Sequence, residues 1–394
     1  MVHMYRCRLA LTLWSLIAVL SLGGCGPGPD HLSGLVAAFS RDGALHLAAE
    51  FQTGQDEGGG FAHIAYLYAR REVDGAVTRF SPPVLGRRFE DDGIALVEGV
   101  AGEYLVFSAG NTLSLWLGRR DGWGWAEISM AALPSEARSG VGQRILAVWG
   151  EVQDLRVLTR QWLYTVEGDK ATDAYAVKGD CFGSWLCYVA PELRSPGDSI
   201  EAIYWKRDAD IQRSLVTCDA GKKSCTATDT GSSFGDPNPG GRSSRPGRFF
   251  FRTRDASGAP VPVFVRTLSV PGAKHYGVVA TTPSGDLDLV RENAYFIGAA
   301  PLPAGGYVVA VESYDETLRV IAVGPDLKTK HVINLGRHRD GFMDGALAVL
   351  ARGTTTTDQR AHIFYGAGRD IVRHLTVDLV KGSVEGDDLV GLQD

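Results

Sequence analysis

From about residue 33 onward, the chain alternates short apolar runs with turn-forming residues. Runs of four to nine residues rich in Val, Ile, Leu, Phe, Tyr and Trp are bounded by Gly, Asp, Pro or Ser. Residues 44–51 (ALHLAAEF), 104–108 (YLVFS), 145–149 (ILAVW), 248–252 (RFFFR), 261–265 (VPVFV), 307–311 (YVVAV) and 320–323 (VIAV) are examples. Runs of this length between such breakers read as β-strands, because a helix needs a longer periodic stretch. Leu113-Ser114-Leu115-Trp116-Leu117 and Leu287-Asp288-Leu289 alternate apolar and polar, the period of a half-buried strand. No amphipathic helix is legible here. The pattern predicts an all-β protein.

Internal repetition narrows the architecture. Asp42-Gly43-Ala44-Leu45 recurs as Asp344-Gly345-Ala346-Leu347, 302 residues on. Ala62-His63-Ile64-Ala65-Tyr66 recurs as Ala361-His362-Ile363-Phe364-Tyr365, 299 residues on, and Arg70 and Arg369 each follow seven residues after the histidine. Asp92-Gly93 repeats the turn 50 residues after Asp42. Six steps of about 50 residues fill the larger offset, which predicts seven units beginning near residues 33, 93, 142, 185, 246, 294 and 343. Each has room for four strands. Seven four-stranded sheets around an axis form a β-propeller, an arrangement that leaves only short, protected edges. Six or eight blades, and then a pair of β-sandwiches, are the alternatives. The repeat is not in strand frame: Asp-Gly-Ala-Leu follows the first strand of the first unit but opens the last unit. Ring closure by an N-terminal strand that completes the last blade would reconcile the two.

Composition fits this picture. The chain has 394 residues, 44% hydrophobic and 22% charged, with 49 Gly and 17 Pro. Glycine at about 12% cuts the chain into short segments. A net charge of −6 argues against bulk nucleic-acid binding.

The first residues form an address. Arg6 and Arg8 precede a 14-residue apolar run, Leu9 to Leu22, and then Gly23-Gly24-Cys25. That run has the length of a secretory h-region, whereas a spanning helix needs about 20 apolar residues. Leu22-Gly23-Gly24-Cys25 resembles the lipobox of bacterial lipoproteins. The resemblance implies cleavage before Cys25, acylation of its thiol, and membrane attachment through the lipid. Gly26 rather than Asp after the cysteine implies the Gram-negative outer membrane. Residues 1–24 are then a signal peptide, 25–32 a tether and 33–394 the propeller.

Cysteine usage supports export. Cys7 leaves with the leader and Cys25 takes lipid, which leaves Cys181, Cys187, Cys218 and Cys225. The two close pairs suit the disulfides Cys181–Cys187 and Cys218–Cys225 in an oxidising compartment. A four-cysteine zinc site is the alternative, although neither spacing is the short one usual for zinc ligands.

Residues 35–51 (LVAAFSRDGALHLAAEF) resemble a unit of sialidase-like, BNR-type propellers, and Arg245-Pro246-Gly247-Arg248 before FFFRTRDASGAPVPVFV is similar to another. Gly122-Trp123-Gly124-Trp125 resembles the start of an outer strand in that family. The resemblance implies the fold. It does not imply glycosidase chemistry, because Ser40-Arg41-Asp42-Gly43 lacks the later Gly and Trp of the Asp-box.

Catalytic signatures do not emerge. The chain has no HExxH, Walker A, GxSxG, or strand-linked GxGxxG sequence, so no cofactor or metal is expected. His63 and His362 would lie near each other if the repeat placed them equivalently in adjoining blades, and zinc or copper could use such a pair. The alternative is two ordinary strand histidines. The break at residues 229–248 (DTGSSFGDPNPGGRSSRPGR) is too long for a hairpin and predicts an insertion between the fourth and fifth units. Arg242, Arg245 and Arg248 there are candidate binders of an anion such as a carboxylated sugar. Trp123 and Trp125 are candidates for a sugar-stacking or protein-contact surface. The expectation is a lipid-anchored binding or scaffold propeller that takes an envelope protein or glycan. The competing expectation is a sialidase-like hydrolase or lyase, with Asp42, Asp92, Arg70 and Arg369 converging on the axis.

Overall fold

A computed structural model describes residues 31–39, 43–55, 61–80, 85–86, 93–99, 102–109, 114–118, 125–138, 145–151, 154–183, 187–190, 200–205, 211–233, 248–269, 276–337, 347–368 and 370–393. The described chain is almost entirely strand, laid down as successive antiparallel meanders. The first comprises β1 (His31–Phe39), β2 (Leu45–Gln55), β3 (Phe61–Arg71) and β4 (Val77–Phe80), with the short β5 (Leu85–Gly86) pairing back onto β3. The second comprises β6 (Gly93–Gly99), β7 (Gly102–Ala109), β8 (Ser114–Gly118) and β9 (Trp125–Glu127). The third is β10 (Ile145–Glu151), β11 (Asp154–Thr159), β12 (Trp162–Glu167) and β13 (Lys170–Lys178); the fourth is β14 (Cys187–Ala190), β15 (Ile200–Trp205), β16 (Ile211–Asp219) and β17 (Ser224–Ser233). Next come β18 (Arg248–Arg254), β19 (Pro260–Ser269), β20 (Tyr276–Thr282) and β21 (Gly285–Pro301), then β22 (Tyr307–Ser313), β23 (Thr317–Val323) and β24 (Lys330–Arg337). The last meander is β25 (Leu347–Thr355), β26 (Asp358–Gly366), β27 (Ile371–Asp378) and β28 (Ser383–Gly391).

Two neighbouring pairs of meanders are fused. The 17-residue β21 pairs with β20 up to Ala294 and with β22 from Ala294 onward, so it is the outer strand of one meander and the inner strand of the next. At the rim, β13 runs parallel to β17, from Ala176 opposite Ser224 to Lys178 opposite Thr226. The inner strands contact one another in cyclic order: β1 with β6, β6 with β10, β10 with β14, β14 with β18, β18 with β21, β21 with β25, and β25 with β1. The molecule is a β-propeller.

The expected closure by an N-terminal strand within the last blade does not occur. β1 pairs with β2, and the last meander is complete in four consecutive strands. Arg71 Nη1 instead reaches Asp388 Oδ2 of β28 at 3.0 Å, and Arg79 Nε donates to the Gly391 carbonyl at 3.0 Å. Around them Leu32, Leu35, Leu47, Phe51 and Leu67 of the first meander pack with Phe364, Val372, Val390 and Leu392 of the last.

The core lies between meanders rather than within any one. Alternate residues of a strand face opposite neighbours. In β22, Tyr307, Val309 and Val311 pack towards the β18–β21 meander, while Val308 and Ala310 pack towards the last. All seven β22 residues are buried, and the apolar run Tyr307–Val311 gives way to the buried polar Glu312 and Ser313 at its end. Asp255 Oδ1 accepts the backbone N–H groups of Ser257 at 2.8 Å and Ala259 at 3.0 Å, and Gly43 takes φ +89°.

Candidate functional site

In a four-stranded antiparallel meander the outer strand ends at the same axial end at which the next inner strand begins. Arg248 opens the inner strand β18 at that end, opposite Arg266 of β19. Arg242 and Arg245 lie in the connection 234–247, outside the described residues. Arg266 is buried, with its guanidinium 5.5 Å from the Phe264 ring centroid. The expected insertion is narrower than the sequence suggests, because β17 continues to Ser233. Trp125 begins the outermost strand β9, opposite Gly118, and Trp123 lies outside the described residues. Trp125 and Arg248 therefore lie on different meanders, one on an outermost strand and one on an inner strand.

Asp42, Asp92 and Arg369 also lie outside the described residues, as does Cys25. Arg70 is placed, and not at the axis. It lies in the third strand β3, 1% exposed, and its Nε sits 2.7 Å from Glu72 Oε1. Beside it, His46 Nδ1 and the Tyr68 hydroxyl are 2.6 Å apart. This arginine is committed to an ion pair inside the first meander.

His63 and His362 occupy non-equivalent strands. His63 is on β3, opposite Thr53 of β2, whereas His362 is on β26, the second strand of its meander. The partner of His362 is His374 on β27, with Nδ1 and Nε2 3.0 Å apart. Thr376 Oγ1 lies 3.3 Å from the first nitrogen and 3.4 Å from the second. Phe39 of β1 meets the His362 ring edge-on at 4.7 Å, Phe364 stacks on His374 at 4.5 Å, and Arg352 lies over the Phe39 face at 3.7 Å. Burial holds both imidazoles neutral, lowering His362 to about 3 and His374 to about 4. His362 Nε2 and His374 Nδ1 find no partner among the described residues, so when one ring donates to the other, the ring that accepts carries its own N–H on an unpartnered nitrogen. Sequence reasoning singled out His362 but missed His374. Two histidines twelve apart across a hairpin carry no signal until the register is known.

A second polar cluster lies in the fourth meander. The Tyr204 hydroxyl donates to Asp229 at 2.9 Å and Ser214 Oγ donates to the same carboxylate at 2.7 Å. Burial first, and then Asp229, push the Tyr204 phenol well above its ordinary range, so it serves as a donor and not as a nucleophile. Both cysteine pairs flank this cluster as disulfides, Cys181–Cys187 and Cys218–Cys225. Among the described residues, no group of three or more His, Cys, Asp or Glu is placed to hold a metal ion.

No family model matches the chain, and no curated protein does. Solved structures match in fold. The BP39L lectin from Burkholderia pseudomallei aligns with TM-score 0.54 and 12% identity, over 93% of this chain and all of the lectin. A puromycin-hydrolysing peptidase from Mycobacterium tuberculosis aligns with TM-score 0.48 and 13% identity, over 91% of this chain. This chain spans about half of that peptidase, 52% of its length. The β-propeller domain of the Trilobed protease from Pyrococcus furiosus aligns with TM-score 0.46 and 8% identity, over 93% of this chain and 97% of that one. At these identities the likeness is one of fold: the chain is similar to β-propeller proteins of differing activities.

Proposed function

We propose that this protein is a lipid-anchored, seven-bladed propeller of the bacterial envelope that binds a protein or an acidic glycan through the loop-bearing end of its ring. The observation that carries the reading is the arginine cluster Arg242, Arg245 and Arg248, which runs into an inner strand beside the axis. Guanidinium groups pair bidentately with carboxylates, so such a cluster suits a carboxylated sugar or an acidic peptide. The leader ending in Leu22-Gly23-Gly24-Cys25 and the two disulfides support an exported, anchored protein. A lectin of similar fold is consistent with glycan binding on this scaffold. The burial of Arg70 in an ion pair speaks against its use in a sialidase-like funnel.

A glycan array and an envelope pull-down with the acylated chain test the binding face. Arg242→Ala/Arg245→Ala/Arg248→Ala is expected to abolish capture; retention of the same ligand would overturn the assignment. Cys25→Ala is expected to release the protein from the membrane fraction, and an unchanged fraction would overturn the anchor.

A further inference from the structure

We infer that the seam between the first and last meanders is an acid-sensitive latch, held shut by the neutral His362–His374 pair and opened locally when that pair is protonated. Two of the other seams are tied by backbone. The third and fourth meanders share the β13–β17 backbone ladder, and the fifth and sixth share the continuous strand β21. Between the last meander and the first no strand is shared among the described residues, and the contacts they make across it are through side chains. Into that seam the fold places two titratable rings, 8% and 7% exposed, 3.0 Å apart, and walled by Phe39 and Phe364.

A proton added here has nowhere favourable to go. Apart from the Thr376 hydroxyl at the ring contact, Phe39 and Phe364 make the wall apolar, and desolvation of a charge in such a site is costly. The surrounding charges are mostly cationic. Arg352 of β25 and Arg360 of β26 disfavour a positive His362, and Arg71 of β3 disfavours a positive His374. Among the described residues the acid that favours protonation is Asp388 of β28, which is already bound to Arg71. Arg360 is itself balanced by Asp358 and Glu385. A second proton would set two cations within hydrogen-bonding distance of each other.

The direction of the pH effect follows. Both rings bind protons less readily in the closed seam than in water, where the value is near 6.5. Their contribution to closure is complete above about 6.5 and is lost as pH falls through that value towards the closed-state values of about 4 and about 3. At pH 5, each freed histidine favours opening by about 30-fold relative to pH 7.5.

Hydrogen exchange of the full chain at pH 7.5 and pH 5.0, corrected for intrinsic rates, tests this. Protection is expected to fall in β1, β25 and β26 while β22 and β23 stay protected. His362→Gln/His374→Gln is expected to remove the pH step, and His374→Gln alone to leave only the His362 part, which keeps the test available if the double variant does not fold. Uniform loss around the ring, no loss, or a pH step that survives in the variants would overturn the proposal.

Discussion

Truncation of Phe364 to alanine tests whether the first and last meanders share one core. Phe364 is fully buried, at 0% exposure, on β26. It stacks on His374 at 4.5 Å, sits 6.4 Å from the Phe39 ring, and packs in the cluster that joins Leu32, Leu47 and Phe51 to Val372 and Leu392. A Phe→Ala change at such a site removes the transfer free energy of the ring and leaves a cavity, about 4 kcal/mol together. The 370 residues from Cys25 onward carry an unfolding entropy of about 0.8 kcal/mol/K. The expected fall in Tm is therefore about 5 °C, read by circular dichroism. Val332→Ala, at a position 47% exposed on β24, is the control and is expected to move Tm by less than about 1 °C. If Phe364→Ala also stayed within about 1 °C of wild type, the seam would not be packed as described.

Two further substitutions probe local rules. Tyr307 is fully buried, its hydroxyl has no hydrogen-bond partner among the described residues, and burial raises its pKa; Tyr307→Phe is expected to stabilise by about 1 kcal/mol in denaturant titration, and a comparable loss would reveal an unseen partner. Gly353 takes φ +104° at a β25–β26 bulge, where a Cβ would lie 1.5 Å from the Asp358 carbonyl oxygen; Gly353→Ala is expected to cost about 3 kcal/mol, and a cost below about 1 kcal/mol would contradict the bulge.

Much of the architecture was legible because propeller strands are short and buried on both sides. The apolar runs at 307–311 and 320–323 fall within β22 and β23, and the first strands at His31, Gly93, Ile145, Cys187, Arg248 and Leu347 begin within four residues of expected unit starts. The repeat behind that expectation was nevertheless out of frame. Leu45 starts a second strand and Leu347 a first, while His63 lies on a third strand and His362 on a second. Similar strand-turn-strand sequences satisfy the same local chemistry at any position in a meander, so a four-residue match fixes the class of turn but not its place. The imagined histidine pair and the strand-swapped closure followed from that false equivalence. His374 and the Tyr204–Asp229–Ser214 cluster were invisible for a different reason. Their members meet through cross-strand register, which a linear pattern does not carry.

The claim on which the rest depends is that the chain closes on itself through its first and last meanders. Spin labels at Val73→Cys and Leu389→Cys measure it directly: both positions are exposed, at 77% and 65%, and each lies within two residues of the Arg71–Asp388 contact. Electron–electron double resonance is expected to give one narrow distribution at short range, about 20–25 Å once two strand residues and the label arms are added. A broad distribution, or a separation spanning the width of the molecule, would mean an open arc and would contradict the ring.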